Sequence, residues 1–278
     1  MKPNSRDLRS PRGMKTTGRD AEAAAFGDAE SFFPCFSFFP RFSRIAALSV
    51  TLAASAEFGA DSPNQPTLTE VEKQAGWKLL FDGVSAAGWR GLGMDGFPSV
   101  WVIENGCLRC LGGVKNANDL VTVDEYQNFE LSFEWMIPKL NGNSGVKYRV
   151  QDEKGKGYAF GCEYQCMNDP EATDKHASGA LYDVFAPQGK KLAPQGEFNQ
   201  SLIVVNGNHV EHWLNGVKVV DAEFGSDAMN EALKTSHFRN SDWGKNPVGH
   251  IILQDHHSEV SFRNIKIRVL ASSFGIRE

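Results

Sequence analysis

Between Phe129 and Met136 the chain alternates without a break, with Phe129, Leu131, Phe133 and Trp135 on one parity and Glu130, Ser132, Glu134 and Met136 on the other. Residues two apart share a face of an extended strand, so this octet reads as a strand with one face in a core. Val146, Tyr148 and Val150 alternate with Lys147, Arg149 and Gln151 in the same way. Further on, apolar runs at 201–205, 210–213 and 217–220 are separated by Asn206-Gly207 and Asn215-Gly216. Asn-Gly between apolar runs is a strong hairpin signal because both residues tolerate positive φ. A last strand is expected at 260–267, with Phe262, Asn264 and Lys266 on one face and Arg263, Ile265 and Ile267 on the other. Helical periodicity is confined to a short surface segment at 227–235. Many short strands without intervening helices predict an all-β sandwich or jelly roll, not alternating βαβ units.

The first sixty residues read differently. Arg41 and Arg44 precede an apolar run, 45–56, that closes on Ala54-Ser55-Ala56. A basic flank, a short apolar stretch and a small-x-small end form the pattern of a secretory signal peptide. The run is too short to span a bilayer, so no stable membrane span is expected. The segmentation is a leader over 1–60 (with Met14 as another candidate start), a Pro-, Asn- and Thr-rich linker over 61–75, a domain over 76–271 and a tail over 272–278. The implied destination is the periplasm or the medium.

The chain carries 29 Lys and Arg against 34 Asp and Glu, and no basic stripe interleaves with aromatics. Such a surface repels phosphate backbones, so nucleic acid is not an expected partner. Beyond the leader lie Cys107, Cys110, Cys162 and Cys166. Cys162 and Cys166 share a strand face too far apart to join, so a disulfide would have to link the two pairs. The simpler expectation is four small buried hydrophobes.

Polar residues that alternate with core residues are the candidates for a site on the solvent side of a curved sheet. By parity, Glu134, Arg149, Glu163, Gln165, Gln254 and His256 are expected to converge there. His176 lies in a polar loop, at the rim of such a cleft. Trp89, Trp101 and Trp213 sit within apolar strand patterns and are expected in the core.

Five segments in order carry a resemblance: Leu80-Phe81-Asp82-Gly83, Gly88-Trp89, Asn143-Ser144-Gly145, Trp213-Leu214-Asn215-Gly216 and Gly249 through His257. Over residues 76 to 270 they resemble the 3-keto-disaccharide hydrolase family. The resemblance implies a concanavalin A-like jelly roll and a carbohydrate substrate. It also brings in Asn143 and Tyr182, the latter in Ser178-Gly179-Ala180-Leu181-Tyr182, as substrate-binding positions with Gln165, Gln254 and His176. The chain departs from the family pattern at Asn168, Phe198 and His257, where Asp, Trp and Gly are usual.

The chemistry implied is not that of an ordinary glycosidase. A ketone at C3 acidifies the C2 proton, so a base can form an enolate and expel the C1 leaving group, after which water adds to the enone. His256 or Glu163 is expected as the base, and Arg149 or a bound divalent metal ion as the positive charge beside the enolate. Asp255, His256, His257 and Glu163 are suitable ligand types, Asp255 being the candidate metal ligand, although His256 and His257, adjacent on a strand, point to opposite faces and cannot both hold one ion. Two other readings stand beside this one. Two carboxylates could serve as the acid and the nucleophile or base of a conventional glycosidase, and the same scaffold could be a non-catalytic carbohydrate-binding module.

Overall fold

A computed structural model describes residues 65–113, 118–151 and 160–271; the leader and the tail lie outside these residues. With strands numbered along the chain, two antiparallel sheets face one another. The larger runs in the order β11 (Val217–Glu223), β10 (His209–Leu214), β9 (Asn199–Asn206), β6 (Phe129–Met136), β13 (Val260–Val269), β4 (Cys107–Cys110) and β3 (Trp101–Glu104). An eighth strand, β1 (Trp77–Leu79), pairs with the far half of β13. The smaller sheet runs β2 (Trp89–Gly91), β5 (Leu120–Tyr126), β12 (Gly249–Leu253), β7 (Asn143–Val150) and β8 (Cys162–Met167). This is the expected all-β jelly-roll sandwich.

The apolar parity of β6 meets Val146 and Tyr148 of β7, Tyr164 of β8 and Leu253 of β12 in one core. Polar atoms caught between the sheets are paired. Trp135 Nε1 donates to Ser201 Oγ at 2.9 Å, Ser201 donates to the Tyr164 hydroxyl at 2.9 Å, and Tyr164 donates to the Trp213 carbonyl at 3.2 Å. His212, fully buried, hydrogen-bonds Gly179 O through Nδ1 at 3.1 Å. That bond fixes Nε2 as the acceptor for the Tyr148 hydroxyl at 3.0 Å. All four described cysteines are free and buried, as the simpler expectation had it.

The hairpins form as expected, with one shift. Asn215 and Gly216 both have positive φ, the requirement of a type I′ turn. The β9–β10 loop is instead Gly207-Asn208, because Asn206 pairs with His209 and only Gly207 has positive φ. That is the type II′ arrangement, with Gly first. The helical segment is α2 (Asp227–Lys234), capped by Ser226. A five-residue helix, α1 (Glu70–Gln74), with a capping box from Thr69 and Glu72, occupies part of the segment assigned to the linker. An ion pair between Glu72 and Lys266 joins it to β13.

Two bulges break the strict alternation. In β7 the pairing with β12 slips between Ile252↔Lys147 and His250↔Val150, leaving one extra residue; Arg149 there has φ +57°. In β13 the pairing with β6 slips between Arg263↔Glu134 and Lys266↔Ser132, and Asn264 has φ +50°. A bulge reverses the parity beyond it. Arg263, Asn264 and Lys266 are therefore all partly exposed while Phe262, Ile265 and Ile267 are buried, which corrects the expected faces of that strand.

Candidate active site

Asn143, Gly145 and Lys147 alternate outward from β7, and Glu163 and Gln165 alternate outward from β8, while Val146, Tyr148, Cys162 and Tyr164 go into the core. The register sets Lys147 opposite Glu163 and Gly145 opposite Gln165. Beside them, β12 ends by donating Gln254 N to Gly145 O at 2.9 Å, and Ser144 Oγ fastens Gln254 O at 2.8 Å. Six of the ten sequence candidates, Asn143, Glu163, Gln165, Tyr182, Gln254 and His256, thus line one cavity of about 290 Å³. Its size sits at the lower end of small-molecule sites, room for one sugar ring. Lys147, Phe160, His237 and Phe238 complete the wall.

Glu163 is the electrostatic centre of this cavity. Only 8 % exposed, its carboxyl is pushed up to about 7 by burial, with Lys147 pulling the other way and the Asp119 charge adding to the rise. Lys147 Nζ stands 3.7 Å from Glu163 Oε2. Asp119 is itself raised by burial, against the pull of Lys147. One ammonium thus serves two sheltered carboxyls, and near neutrality a proton on one of them relieves the site. Gly145 makes the room Glu163 needs, since a Cβ there would run into the carboxyl.

The remaining polar groups are oriented for recognition. Gln165, almost wholly buried, donates Nε2 to Asn143 Oδ1 at 3.0 Å and so fixes that amide. Gln254 Oε1 is buried with no protein partner, an acceptor left for a hydroxyl donor. Tyr182 is raised by burial and by the Glu163 and Asp183 charges, so it stays a phenol. Behind it, Asp183 holds His237 Nδ1 at 2.6 Å, Lys175 at 2.7 Å and Ser236 Oγ at 2.8 Å. Burial alone would raise Asp183, but its hydrogen bonds from Lys175, the His237 backbone and Ser236 hold it well below the usual carboxylate range.

Four expected residues are elsewhere. The β7 bulge turns Arg149 out of the cavity, and its guanidinium instead donates to the carbonyls of Gly207 (2.5 Å) and Gly244 (3.3 Å). Glu134 lies on the other sheet, paired with Arg263 at 2.7 Å and with Asn264 at 2.9 Å. With Glu163 on the opposite sheet, the two cannot form a glycosidase pair. His176 hydrogen-bonds Asp183 at 3.0 Å and packs its ring edge-on to Tyr182, supporting that tyrosine without lining the cavity. Asp255 accepts from the backbone of Asn118 at 3.1 Å and of His257 at 3.0 Å, which closes the turn after β12 and commits its carboxylate. Among the described residues, three His, Asp or Glu donors gather only at His209, Glu211 and Asp221, where Lys218 pairs with both carboxylates. No such group of three lies in the cavity among the described residues, where Lys147 is the positive charge beside Glu163.

Lys147 was legible in the sequence: it shares the parity of Arg149 and precedes the bulge. His237 and Phe238 follow α2 in a loop without periodic pattern, and Asp119 precedes β5 with no signal of its own.

The chain has counterparts among known proteins. A 3-keto-disaccharide hydrolase of Bacteroides thetaiotaomicron is 32% identical over 229 residues, spanning 70% of this chain and 79% of that one. A crystallised protein of Parabacteroides distasonis, assigned as a candidate glycosyl hydrolase, superposes with a TM-score of 0.68 at 33% identity, over 74% of this chain and all of that one. A second from the same organism gives 0.52 at 26% identity, over 70% and 99%. The family model for the 3-keto-alpha-glucoside-1,2-lyase-like domain matches residues 76–268, nearly the whole sandwich that carries the cavity. By that match and by its identity to the Bacteroides hydrolase, the chain belongs to the 3-keto-alpha-glucoside-1,2-lyase-like family.

Proposed function

We propose that this hydrolase cleaves the glycosidic bond of 3-keto-glycosides by elimination and hydration, with Glu163 as the base. The observation that carries the proposal is a nearly buried carboxyl, raised to about 7, in a ring-sized polar cavity. A general base works best with a pKa near the operating pH, and burial provides that here. The Glu163 carboxylate takes the C2 proton, and the C–H electron pair forms a C2=C3 enolate. The enolate collapses, restoring the C3 ketone, forming C1=C2 and expelling the leaving-group oxygen from C1. Water then adds at C1, and Glu163, its proton exchanged with solvent while the enone is held, protonates C2, so the net change is hydrolysis.

In this mechanism Lys147, 3.7 Å from Glu163, stabilises the enolate oxygen, the role expected of Arg149. Gln254 and the Gln165-held amide of Asn143 hold ring hydroxyls, and His256 at the exposed end serves the leaving group. Export through the leader completes the reading, with carbohydrate met outside the cytoplasm.

The test is a panel of 3-keto disaccharides and their parent sugars, run in deuterium oxide. The expected outcome is cleavage of keto substrates only, with deuterium at C2 of the product. Cleavage of a parent sugar at a comparable rate, or product without C2 label, overturns the mechanism.

A further inference from the structure

Arg149 is 5 % exposed, and among the described residues no carboxylate pairs with it. Burial lowers its guanidinium from the ordinary value, and only the Cys162 thiol and the Tyr148 phenol, not a carboxylate, pull the other way. Two carbonyls and the face of Phe224, 4.1 Å away, take part of its charge, but Nε is buried without a partner. The indole Nε1 of Trp243 is likewise buried and unpartnered. Both orphaned donors belong to the wall of a cavity of about 560 Å³ between α2 and the segment that follows it. Its rim carries Lys234, Arg239 and Lys245, and no described residue of the lining is acidic. Lys234 is paired with Glu231 at 2.5 Å and Lys245 with Asp242 at 2.6 Å, which leaves Arg149 and Arg239 as the cations of this wall without a carboxylate partner among the described residues. Phe224, Phe238 and Trp243 give the same wall flat apolar surface, with Phe238 and Trp243 stacked at 5.3 Å.

We infer that this cavity is a binding site for an organic anion, a carboxylate carried on a flat or apolar body, which meets the Arg149 guanidinium, left without a counter-charge, and the indole N–H of Trp243. A buried cation without a counter-charge and two donors without acceptors are all satisfied by one such ligand. Phe238 also lines the catalytic cavity, so the two spaces meet at its ring. Resting on the proposed glycoside cleavage, this adjacency makes the anion site the place of the leaving-group half of the substrate. The favoured substrates are then 3-keto-glycosides of acidic, ring-bearing aglycones.

Binding and turnover test the two claims separately. Benzoate is titrated into the full chain against neutral benzamide, following the Trp243 indole N–H resonance, assigned with Trp243→Phe. Benzoate is expected to bind more tightly by roughly tenfold to a hundredfold, the worth of one hydrogen bond to a charged group, and to shift that resonance. The preference is lost in Arg149→Met and weakened in the exposed rim pair Arg239→Gln/Lys245→Gln, which keeps the fold if Arg149→Met does not. Glu163→Gln retains it, so binding stands or falls apart from catalysis. Equal binding of benzoate and benzamide, or a preference untouched by the rim pair, overturns the site. If 4-carboxyphenyl and phenyl 3-keto-glucosides then show the same KM, the site is not the leaving-group subsite.

Discussion

At the scale of single residues, the chain places strain and shelter where chemistry uses them. His257 has φ +59°, in the left-handed region that glycine occupies most easily, at a position where the family resemblance led to Gly as the expected residue. That departure costs backbone energy, and His257→Gly is expected to stabilise the protein by about 1 kcal/mol in denaturant titration, with activity unchanged. Glu163 gives the opposite trade. Its raised carboxyl means that stability is fully present below the ordinary value of 4.5 and is lost as pH rises through about 7. Glu163→Gln is therefore expected to cut turnover by about 10² to 10⁴ while raising the melting temperature at pH 8 by a few degrees, and by little at pH 4. A variant equally inactive but no more stable at pH 8 would deny Glu163 its sheltered charge. Lys147→Met tests the neighbour: without its pull the Glu163 value climbs, so the acidic limb of kcat/KM moves to higher pH, and turnover falls by about 10².

At the scale of elements, parity was a reliable guide up to each bulge and misleading beyond it. Glu163 and Gln165 on β8, and Asn143 on β7, stand where a period of two puts them. Arg149 left the site because one added residue in β7, opposite a Gly249 whose Cβ would come within 2.6 Å of the Arg149 and Val150 backbone, re-aimed it. Glu134 obeys its parity but lies on the other sheet, and strand order is not written in alternation. The Asn105-Gly106 turn between β3 and β4, both residues at positive φ, is a second hairpin of the same chemistry as Asn215-Gly216. His237 reaches the cavity only through Asp183, which ties together loops more than fifty residues apart in the chain. No local pattern encodes such a link. Asp183→Asn is expected to release the His237 loop, raising KM more than it lowers kcat and increasing hydrogen exchange at 236–238. Because Asp183 is held low, the stability it adds is present above the ordinary carboxylate range and is lost only as pH falls through and below it.

At the scale of the whole molecule, two buried groups bound the pH range from opposite sides. His212 is lowered to about 4 by burial, against the pull of its backbone hydrogen bonds, so its contribution is complete above 6.5 and is lost as pH falls towards 4. Glu163 removes stability on the alkaline side, and because the two effects oppose one another between 4.5 and 6.5, the melting temperature is expected to be level there and to fall on either side in a calorimetric series. In Glu163→Gln the alkaline decline should flatten while the acid limb stays. The described cysteines add a different property. Cys110 and Cys162 are pushed up to about 12 by burial, and Cys107 and Cys166 are raised by the same cause. Once folded, these thiols present almost no thiolate to an oxidant. During refolding they are uncovered, and any bridge they form then must be undone before the sandwich can close. Native yield should thus be higher with dithiothreitol than with oxidised glutathione, while the finished protein tolerates either buffer: the redox sensitivity lies in the path to the structure and not in the structure.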